Sequence, residues 1–175
     1  IAMFGKALGN GYAITAILGK REIMNEAQST FISSTFWTER VGPAAALKTL
    51  EVMEKLKSWE TITNIGTKIK KRLQLLADKH ELDIEQFGLA SLAGFNFLSE
   101  NALAYKTLIT QEMLKNNFLS SNLIYASIAH SQQNIDDYFS ILDEIFCLIK
   151  DCEEGRNIND LLNGPICDTG FKRLN

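Results

Sequence analysis

A lysine between an apolar run and a glycine-rich turn is the part of this sequence best suited to chemistry. Lys6 follows the apolar residues 1–4, precedes the turn Gly9–Gly11, and is followed by a second apolar run at 13–18. If residues 1–4 form a buried strand, burial disfavours the lysine ammonium and lowers its pKa. A neutral lysine amine can attack a carbonyl and form a Schiff base. Glycines after a strand are a weak motif, so these residues also fit a hairpin with a surface lysine.

A second segment, STFISSTFWTER at 29–40, combines hydroxyl and aromatic side chains. Serine and threonine hydroxyls, together with loop N–H groups, donate hydrogen bonds to anions. The segment is therefore suited to hold a phosphate as a binding loop. The same residues also fit a β-strand with a polar turn, and the sequence leaves this alternative open.

The composition excludes several classes of protein. The chain has 175 residues, 46% of them apolar and 22% charged, which is typical of a soluble globular protein with a sizeable core. The net charge is −3 and no apolar run is long enough to cross a bilayer, so neither a nucleic-acid surface nor a membrane segment is predicted. The three cysteines show no CxxC spacing, which argues against a disulfide framework or a zinc site and favours a reducing cytoplasm.

Hydrophobic periodicity predicts a mixture of strands and helices. Short apolar runs predict strands at 1–4, 13–18, 82–87 and 94–98, with a further extended stretch at 119–125. Apolar residues three or four apart predict helices at 20–28, from Pro43 to 56, from Ser58 or Thr61 to 79, at 101–116, from Ser131 or Asn134 to 151, and at 157–162. The cations at 68, 70, 71 and 72 are expected to form the solvated face of their helix.

This order of elements predicts two parts. Residues 1–80 would be the end of a larger α/β domain with long connecting helices, and residues 81–175 a small α+β domain with its own core. The chain begins inside an apolar segment and lacks an initiator methionine, which predicts that it is a piece of a longer protein.

Three segments together resemble the class III aminotransferases, and most of all their glutamate-1-semialdehyde aminomutase-like branch: FGKALGNGYAITAILGKREIM, ISSTFWTERVGPAAALKTLE and IAHSQQNIDDY. The family pattern is an apolar strand, Gly-Lys, a glycine-rich turn, a strand ending in glycine, and a threonine-containing segment before a long helix. Here these parts are Gly5-Lys6, Gly9–Gly11, 13–19, Ser34-Thr35 and the helix after Pro43. The resemblance spans the whole chain but only the C-terminal part of such an enzyme. The fold it implies is α/β, the C-terminal part of a fold-type I transferase dependent on pyridoxal 5′-phosphate (PLP).

The resemblance also implies roles for individual residues. Lys6 would hold PLP as a Schiff base and then move a proton on the substrate carbon. Thr35, with Ser34, would bind the cofactor phosphate, and in this family that residue reaches the site of the neighbouring subunit. A homodimer with shared active sites, which takes a small-molecule amino donor and acceptor, is therefore expected. No metal, nucleic acid or membrane is expected to take part.

The loop departs from the family at 36–40, where FWTER replaces a small glycine-containing turn. Spacing selects Thr35 as the phosphate ligand, but Thr38 remains an alternative. Glu39 and Arg40 could either touch substrate or tie the loop down.

Two further polar residues, Arg173 and His130, lie in the second half of the chain. Arg173 could pair with a substrate carboxylate, although a terminal Lys-Arg is more often a surface pair. His130 lies just before a capped helix and is expected to be structural.

The resemblance predicts a PLP-dependent aminotransferase for an amino acid or an amino sugar-type substrate. The alternatives are an aminomutase-type isomerase, which uses the same lysine chemistry, and a dimerisation module that is inactive alone. The last alternative arises because the family carries the acidic partner of the pyridinium nitrogen and most of the phosphate cup in a region without a counterpart here. Without those groups the cofactor would lack its electronic tuning.

Overall fold

The computed structural model describes residues 1–33 and 35–168 of the chain. Two compact units are present, Ile1–Trp59 and Glu60–Asn175. Both strands and helices occur in the chain order that hydrophobic periodicity predicted. The domain limits expected from the sequence, 1–80 and 81–175, refer to a larger enzyme and stay a prediction.

The first unit is a short hairpin followed by helices. Its elements are β1 (Ala2–Phe4), a 3-10 turn (Lys6–Leu8), β2 (Ala16–Leu18), α1 (Arg21–Asn25), a second 3-10 turn (Glu26–Ser29) and α2 (Val41–Leu56). β1 and β2 pair antiparallel, with Phe4 opposite Ala16. The hairpin therefore brings together the residues on either side of the 3-10 turn Lys6–Leu8, which is called the lysine turn below.

The expected burial of β1 is wrong for this unit. Met3 is 80% exposed and Phe4 is 47% exposed. Among the described residues β1 and β2 pair only with each other, and two strands of three residues cannot bury their own side chains. The apolar stripe of α2 is likewise exposed, with Leu47 at 70%, because the face that this unit buries carries the small residues Gly42 and Ala46.

The second unit is an antiparallel sheet packed with helices. Its elements are α3 (Ser58–Lys79, which begins just before the unit), β3 (Ile84–Phe87), β4 (Leu92–Phe97), α4 (Ala102–Lys115), β5 (Leu123–Tyr125), α5 (Gln132–Glu153) and a 3-10 turn (Ile158–Asp160). The strand order is β3-β4-β5. β4 lies at the centre and is the most buried strand, and α4 contacts both β4 and α5.

An apolar cluster forms the core of this unit. Its fully buried members come from α3, β4, α4 and α5, and include Leu73, Phe95, Leu108 and Phe146. The helical stripes predicted for α3 and α5 face this cluster, so that part of the sequence analysis is confirmed. At the start of α5, Ser131 and Asn134 form a reciprocal capping box.

Two of the four α3 cations at 68, 70, 71 and 72 do more than face solvent. The ammonium of Lys70 donates to the Gly88 carbonyl at 2.9 Å. Arg72 pairs with Asp136 on α5, and its guanidinium carbon lies 4.3 Å from the centre of the Phe139 ring. The Arg72 hydrogen bond holds the pKa of the Asp136 carboxyl below its usual value. These two side chains therefore join α3 to neighbouring elements of the unit.

Candidate functional site

The backbone at Lys6 is held in an uncommon conformation. Lys6 has φ +47°, in the left-handed region that residues other than glycine rarely adopt. Its carbonyl accepts the N–H groups of Gly9 and Asn10 at 3.2 and 3.1 Å, and the Gly5 carbonyl accepts the N–H of Leu8 at 3.1 Å. Residues held in such conformations cluster at functional sites. The 3-10 turn thus fixes the backbone from which the lysine side chain projects.

The glycines at 9 and 11 are required by the turn itself. A Cβ atom at Gly9 would lie 2.0 Å from the carbonyl oxygen of Tyr12, and Gly11 has φ +108°. Gly9 is buried, and its carbonyl accepts the Tyr12 N–H at 3.2 Å. The chain therefore turns back on itself directly after Lys6, and only glycine fits at its closest approach.

Lys6 itself is exposed and follows β1 of a hairpin, so the alternative of a surface lysine holds in this unit and that of a buried lysine is wrong for it. The physical reason is the exposure of β1, which leaves the start of the turn open to solvent. Lys6 lines an open concavity of about 680 Å³, whose other lining residues are Ala7, Asn10, Gly11, Tyr12, Ala13, Ile14 and Thr15. An accessible amine on a fixed backbone beside such a space fits a cofactor that carries an aldehyde.

The hydroxyl segment is a loop, and the strand alternative is wrong for its described residues. Thr35 and Thr38 are both exposed, and a turn closes where the Glu39 N–H donates to the Phe36 carbonyl at 3.3 Å. Ser34 lies outside the described residues. Among those described, neither Thr35 nor Thr38 belongs to the wall of the Lys6 concavity. The structure therefore does not bring the lysine and these hydroxyls into one site within the unit.

Glu39 makes the contact expected of a residue that ties the loop down, and its alternative role, contact with substrate, stays a prediction. Its carboxylate oxygens accept the N–H of Val41 at 2.7 Å and the N–H of Gly42 at 3.1 Å. A carboxylate at a helix N-terminus satisfies N–H groups that lack helical partners and complements the helix dipole. Glu39 thus ties the loop to α2, whereas Arg40 beside it is exposed.

The other two polar residues considered from the sequence are Arg173 and His130. Arg173 is outside the described residues. His130 lines a separate cavity of about 210 Å³ in the second unit, together with Ser120 and Tyr138. The Ser120 hydroxyl donates to Tyr138 Oη at 3.3 Å, and burial raises the pKa of Tyr138 to about 12. No sequence signal pointed to this pair, because residues 18 apart are joined only by the tertiary fold.

The described part of the chain shows neither a membrane-spanning helix nor a metal-binding cluster. No helix there is long and apolar enough to cross a membrane. No group of three His, Cys, Asp or Glu side chains there is arranged to hold a metal ion.

The chain belongs to the class III aminotransferase family. The family model described as "Aminotransferase class-III" matches residues 1–116, which include the lysine turn, the hydroxyl loop and α2. Class III aminotransferases are PLP-dependent. The family resemblance given by the motifs is thereby confirmed.

Individual relatives agree with this assignment. The 3-aminobutyryl-CoA aminotransferase of Cloacimonas acidaminovorans is 27% identical over 145 residues, covering 81% of this chain and 35% of the relative. The glutamate-1-semialdehyde 2,1-aminomutase of Methanocaldococcus jannaschii is 23% identical over 163 residues, covering 83% and 38% respectively. The chain therefore spans a little over a third of the length of these relatives.

A solved structure confirms the fold. The FumI protein of Sphingopyxis sp. MTA144, solved in its PLP internal aldimine form, superposes with a TM-score of 0.76 at 23% identity, covering 91% of this chain and 39% of that one. Further neighbours are S-selective transaminases, one of them from Arthrobacter sp. with a TM-score of 0.70. The α/β fold, as part of a fold-type I enzyme, is thus confirmed.

Proposed function

We propose that the protein to which this chain belongs is a PLP-dependent aminotransferase in which Lys6 is the catalytic lysine. The observation that carries the proposal is the exposed Lys6 amine on a backbone locked in the left-handed region, beside an open concavity. The class III family match over the same residues supports it. An amino acid or an amino sugar-type compound is proposed as the amino donor. This range follows the varied substrates in the names of its relatives, among them a 2′-deamino-2′-hydroxyneamine transaminase.

In this proposal the residues of the chain bind, orient and move a proton. The Lys6 Nζ holds the cofactor covalently and, once an incoming amine has displaced it, accepts a proton from the substrate carbon and returns it. When bound, PLP supplies an electron sink for the reacting carbon. Thr35, with Ser34, donates hydroxyl hydrogen bonds to the phosphate, and Thr38 is the alternative ligand.

The assembly and the compartment are part of the proposal. Thr35 lies outside the wall of the Lys6 concavity, which supports a homodimer in which the loop of one subunit serves the site of the other. The chain alone would then be inactive, because each site needs a second copy and further residues of the enzyme. The thiols of Cys147, Cys152 and Cys167 are free, which supports a reducing cytoplasm.

Covalent capture tests the role of Lys6. PLP is added to the full-length protein, the product is reduced with borohydride, and the modified peptide is identified by mass spectrometry. We expect the modification on the Lys6 peptide, and we expect Lys6→Ala to lose both it and the visible absorbance of the bound cofactor. Lys55→Ala, an exposed lysine on α2, is the matched control. Unchanged labelling of Lys6→Ala at another lysine would refute the proposal.

An aminomutase is the second candidate, supported by the match to the archaeal glutamate-1-semialdehyde 2,1-aminomutase. Both activities use the same lysine chemistry. Turnover without any added keto-acid acceptor would identify the isomerase, whereas turnover that requires the acceptor would identify the transferase. The same assay on residues 1–175 alone tests whether this chain is competent without the rest of the enzyme.

A further inference from the structure

Glu39 sits where the hydroxyl loop meets α2. Its two oxygens accept the N–H groups of Val41 and Gly42, the first two residues of the helix. The phosphate-ligand alternative Thr38 is its immediate neighbour in the chain. The side chain of Glu39 therefore fixes both the end of the loop and the start of the helix.

The first turn of α2 packs against the chain that leaves the lysine turn. Gly42 is buried, and a Cβ atom there would lie 2.6 Å from the Ala13 carbonyl oxygen and 3.2 Å from the Cβ of Ile14. The 3-10 turn that begins at Lys6 also contacts α2. The α2 backbone at Gly42 therefore packs directly against the backbone of Ala13, and there is no room for a side chain between them.

Ala13 and Ile14 in turn form part of the wall of the concavity that Lys6 lines. A continuous set of contacts thus runs from the Glu39 carboxylate through Gly42 to the wall beside Lys6. Each step lies within the first compact unit.

We infer that Glu39 is a positioning residue, which holds the hydroxyl loop and the wall of the Lys6 concavity in a fixed relation through the first turn of α2. The inference rests on the proposed function, since it assigns Glu39 to the support of the cofactor site rather than to substrate contact. It also has a consequence for anion binding. The N–H groups of Val41 and Gly42 already have an anionic partner, so a phosphate at this loop is held by hydroxyls and not by the α2 N-terminus.

Substitution of Glu39 in the full-length protein tests the inference. Glu39→Ala is expected to weaken PLP binding by about three- to ten-fold, since loss of a helix cap and its charge costs about that much in equilibrium constant. Glu39→Gln keeps one acceptor oxygen and should lose less. Glu54→Ala, an exposed glutamate further along α2, should bind PLP as the wild type does. Once saturated with PLP, Glu39→Ala should keep the wild-type KM for the amino donor.

A measurement without cofactor separates this inference from the proposed function. The thermal midpoint of the cofactor-free protein is measured with and without inorganic phosphate. Glu39→Ala should melt a few degrees below the wild type and be stabilised by phosphate, which can occupy the vacated N–H groups. The wild type and Glu54→Ala, in which the Glu39 carboxylate occupies these N–H groups, should be stabilised by phosphate less than Glu39→Ala is.

The outcomes are distinguishable. A raised KM with unchanged PLP affinity in Glu39→Gln would make Glu39 a substrate contact and overturn the inference. Equal PLP affinity and equal thermal midpoints for Glu39→Ala and the wild type would also overturn it. Failure of the wild type to bind PLP would count against the proposed function, and the phosphate response of the cofactor-free protein would still decide the role of Glu39.

Discussion

The lysine turn has its shape because Gly9 carries no side chain. A Cβ atom there would lie 2.0 Å from the Tyr12 carbonyl oxygen, so the Gly9→Ala substitution must open the turn. We expect a loss of about 1–3 kcal/mol in the free energy of unfolding, as for other overpacked sites. The loss would be measured as a lower urea midpoint of the first unit's transition at an unchanged m-value.

Gly164→Ala is a control for this substitution, because no described residue lies within 4 Å of a Cβ atom at Gly164. Its urea midpoint should equal that of the wild type. If Gly9→Ala also left the midpoint unchanged, the close approach of Gly9 to Tyr12 would not constrain the turn.

The sequence identifies Lys6 but not the way its backbone is held. A lysine between an apolar run and glycines carries its chemistry in its residue type, and this can be seen in the sequence alone. Its φ of +47° cannot be predicted from the sequence, because it results from hydrogen bonds to Gly9 and Asn10 that exist only in the folded turn. The sequence also left open whether Lys6 is buried or at the surface, because this depends on what covers β1.

Glu39 shows how a shift of two residues in a helix start changes a residue's role. The sequence placed the start of this helix at Pro43, whereas α2 begins at Val41. Pro43 is therefore the third residue of the helix, where its missing N–H needs no helical partner. With the start at Val41, the Glu39 carboxylate reaches the first N–H groups, and a contact that was one of two alternatives becomes a helix cap.

At the element scale, Asp143 on α5 joins that helix to the end of α3. Its carboxylate oxygens lie 2.5 Å from Lys79 Nζ and 2.5 Å from His80 Nε2. The hydrogen bond from Lys79, followed by that from His80, lowers the pKa of Asp143. A carboxyl with a lowered pKa in the folded state stabilises the fold above its unfolded pKa, and this stabilisation is lost as the pH falls through the folded pKa.

Asp143→Asn should therefore lower the free energy of unfolding at pH 7 by about 1 kcal/mol or less, the range measured for exposed ion pairs. The difference from the wild type should shrink below about pH 4, the region where an unfolded aspartate titrates. This difference in the free energy of unfolding is measured by urea unfolding of the second unit at several pH values. Glu144→Gln, an exposed neighbour on α5, is the charge-matched control and should show no such pH dependence. A constant difference down to pH 2 would contradict the role of the charged pair.

The sequence was most informative about the individual helices and strands. The apolar periodicity of α3 and α5 predicted which faces are buried, and Ser131 was one of the two caps predicted for α5. The partners of the polar faces could not be predicted, because they come from distant parts of the chain. Lys70, for example, donates to the carbonyl of Gly88, 18 residues away.

At the scale of the whole chain, periodicity predicts which residues share a face but not what covers it. The leucines of α2 lie in a helix as predicted, yet Leu47, Leu50 and Leu56 are each at least half exposed. In α3, by contrast, Ile69, Leu73 and Leu76 of the predicted stripe are buried. Whether an apolar residue of either helix is buried depends on the elements that its unit supplies to cover it.

Hydrogen exchange on residues 1–175 would measure this contrast directly. The fully buried cluster lies in the second unit, in residues such as Leu108 of α4 and Leu142 of α5. The strands β1 and β2 carry exposed side chains and pair only with each other among the described residues. Amides with few buried apolar neighbours exchange through local opening, whereas core amides require opening of the whole unit. Amides of α4 and α5 should therefore exchange slowest and those of β1 and β2 fastest. Equal protection of β1 and α4 would show that the hairpin is stabilised by contacts that the exposure of Met3 and Phe4 does not reveal.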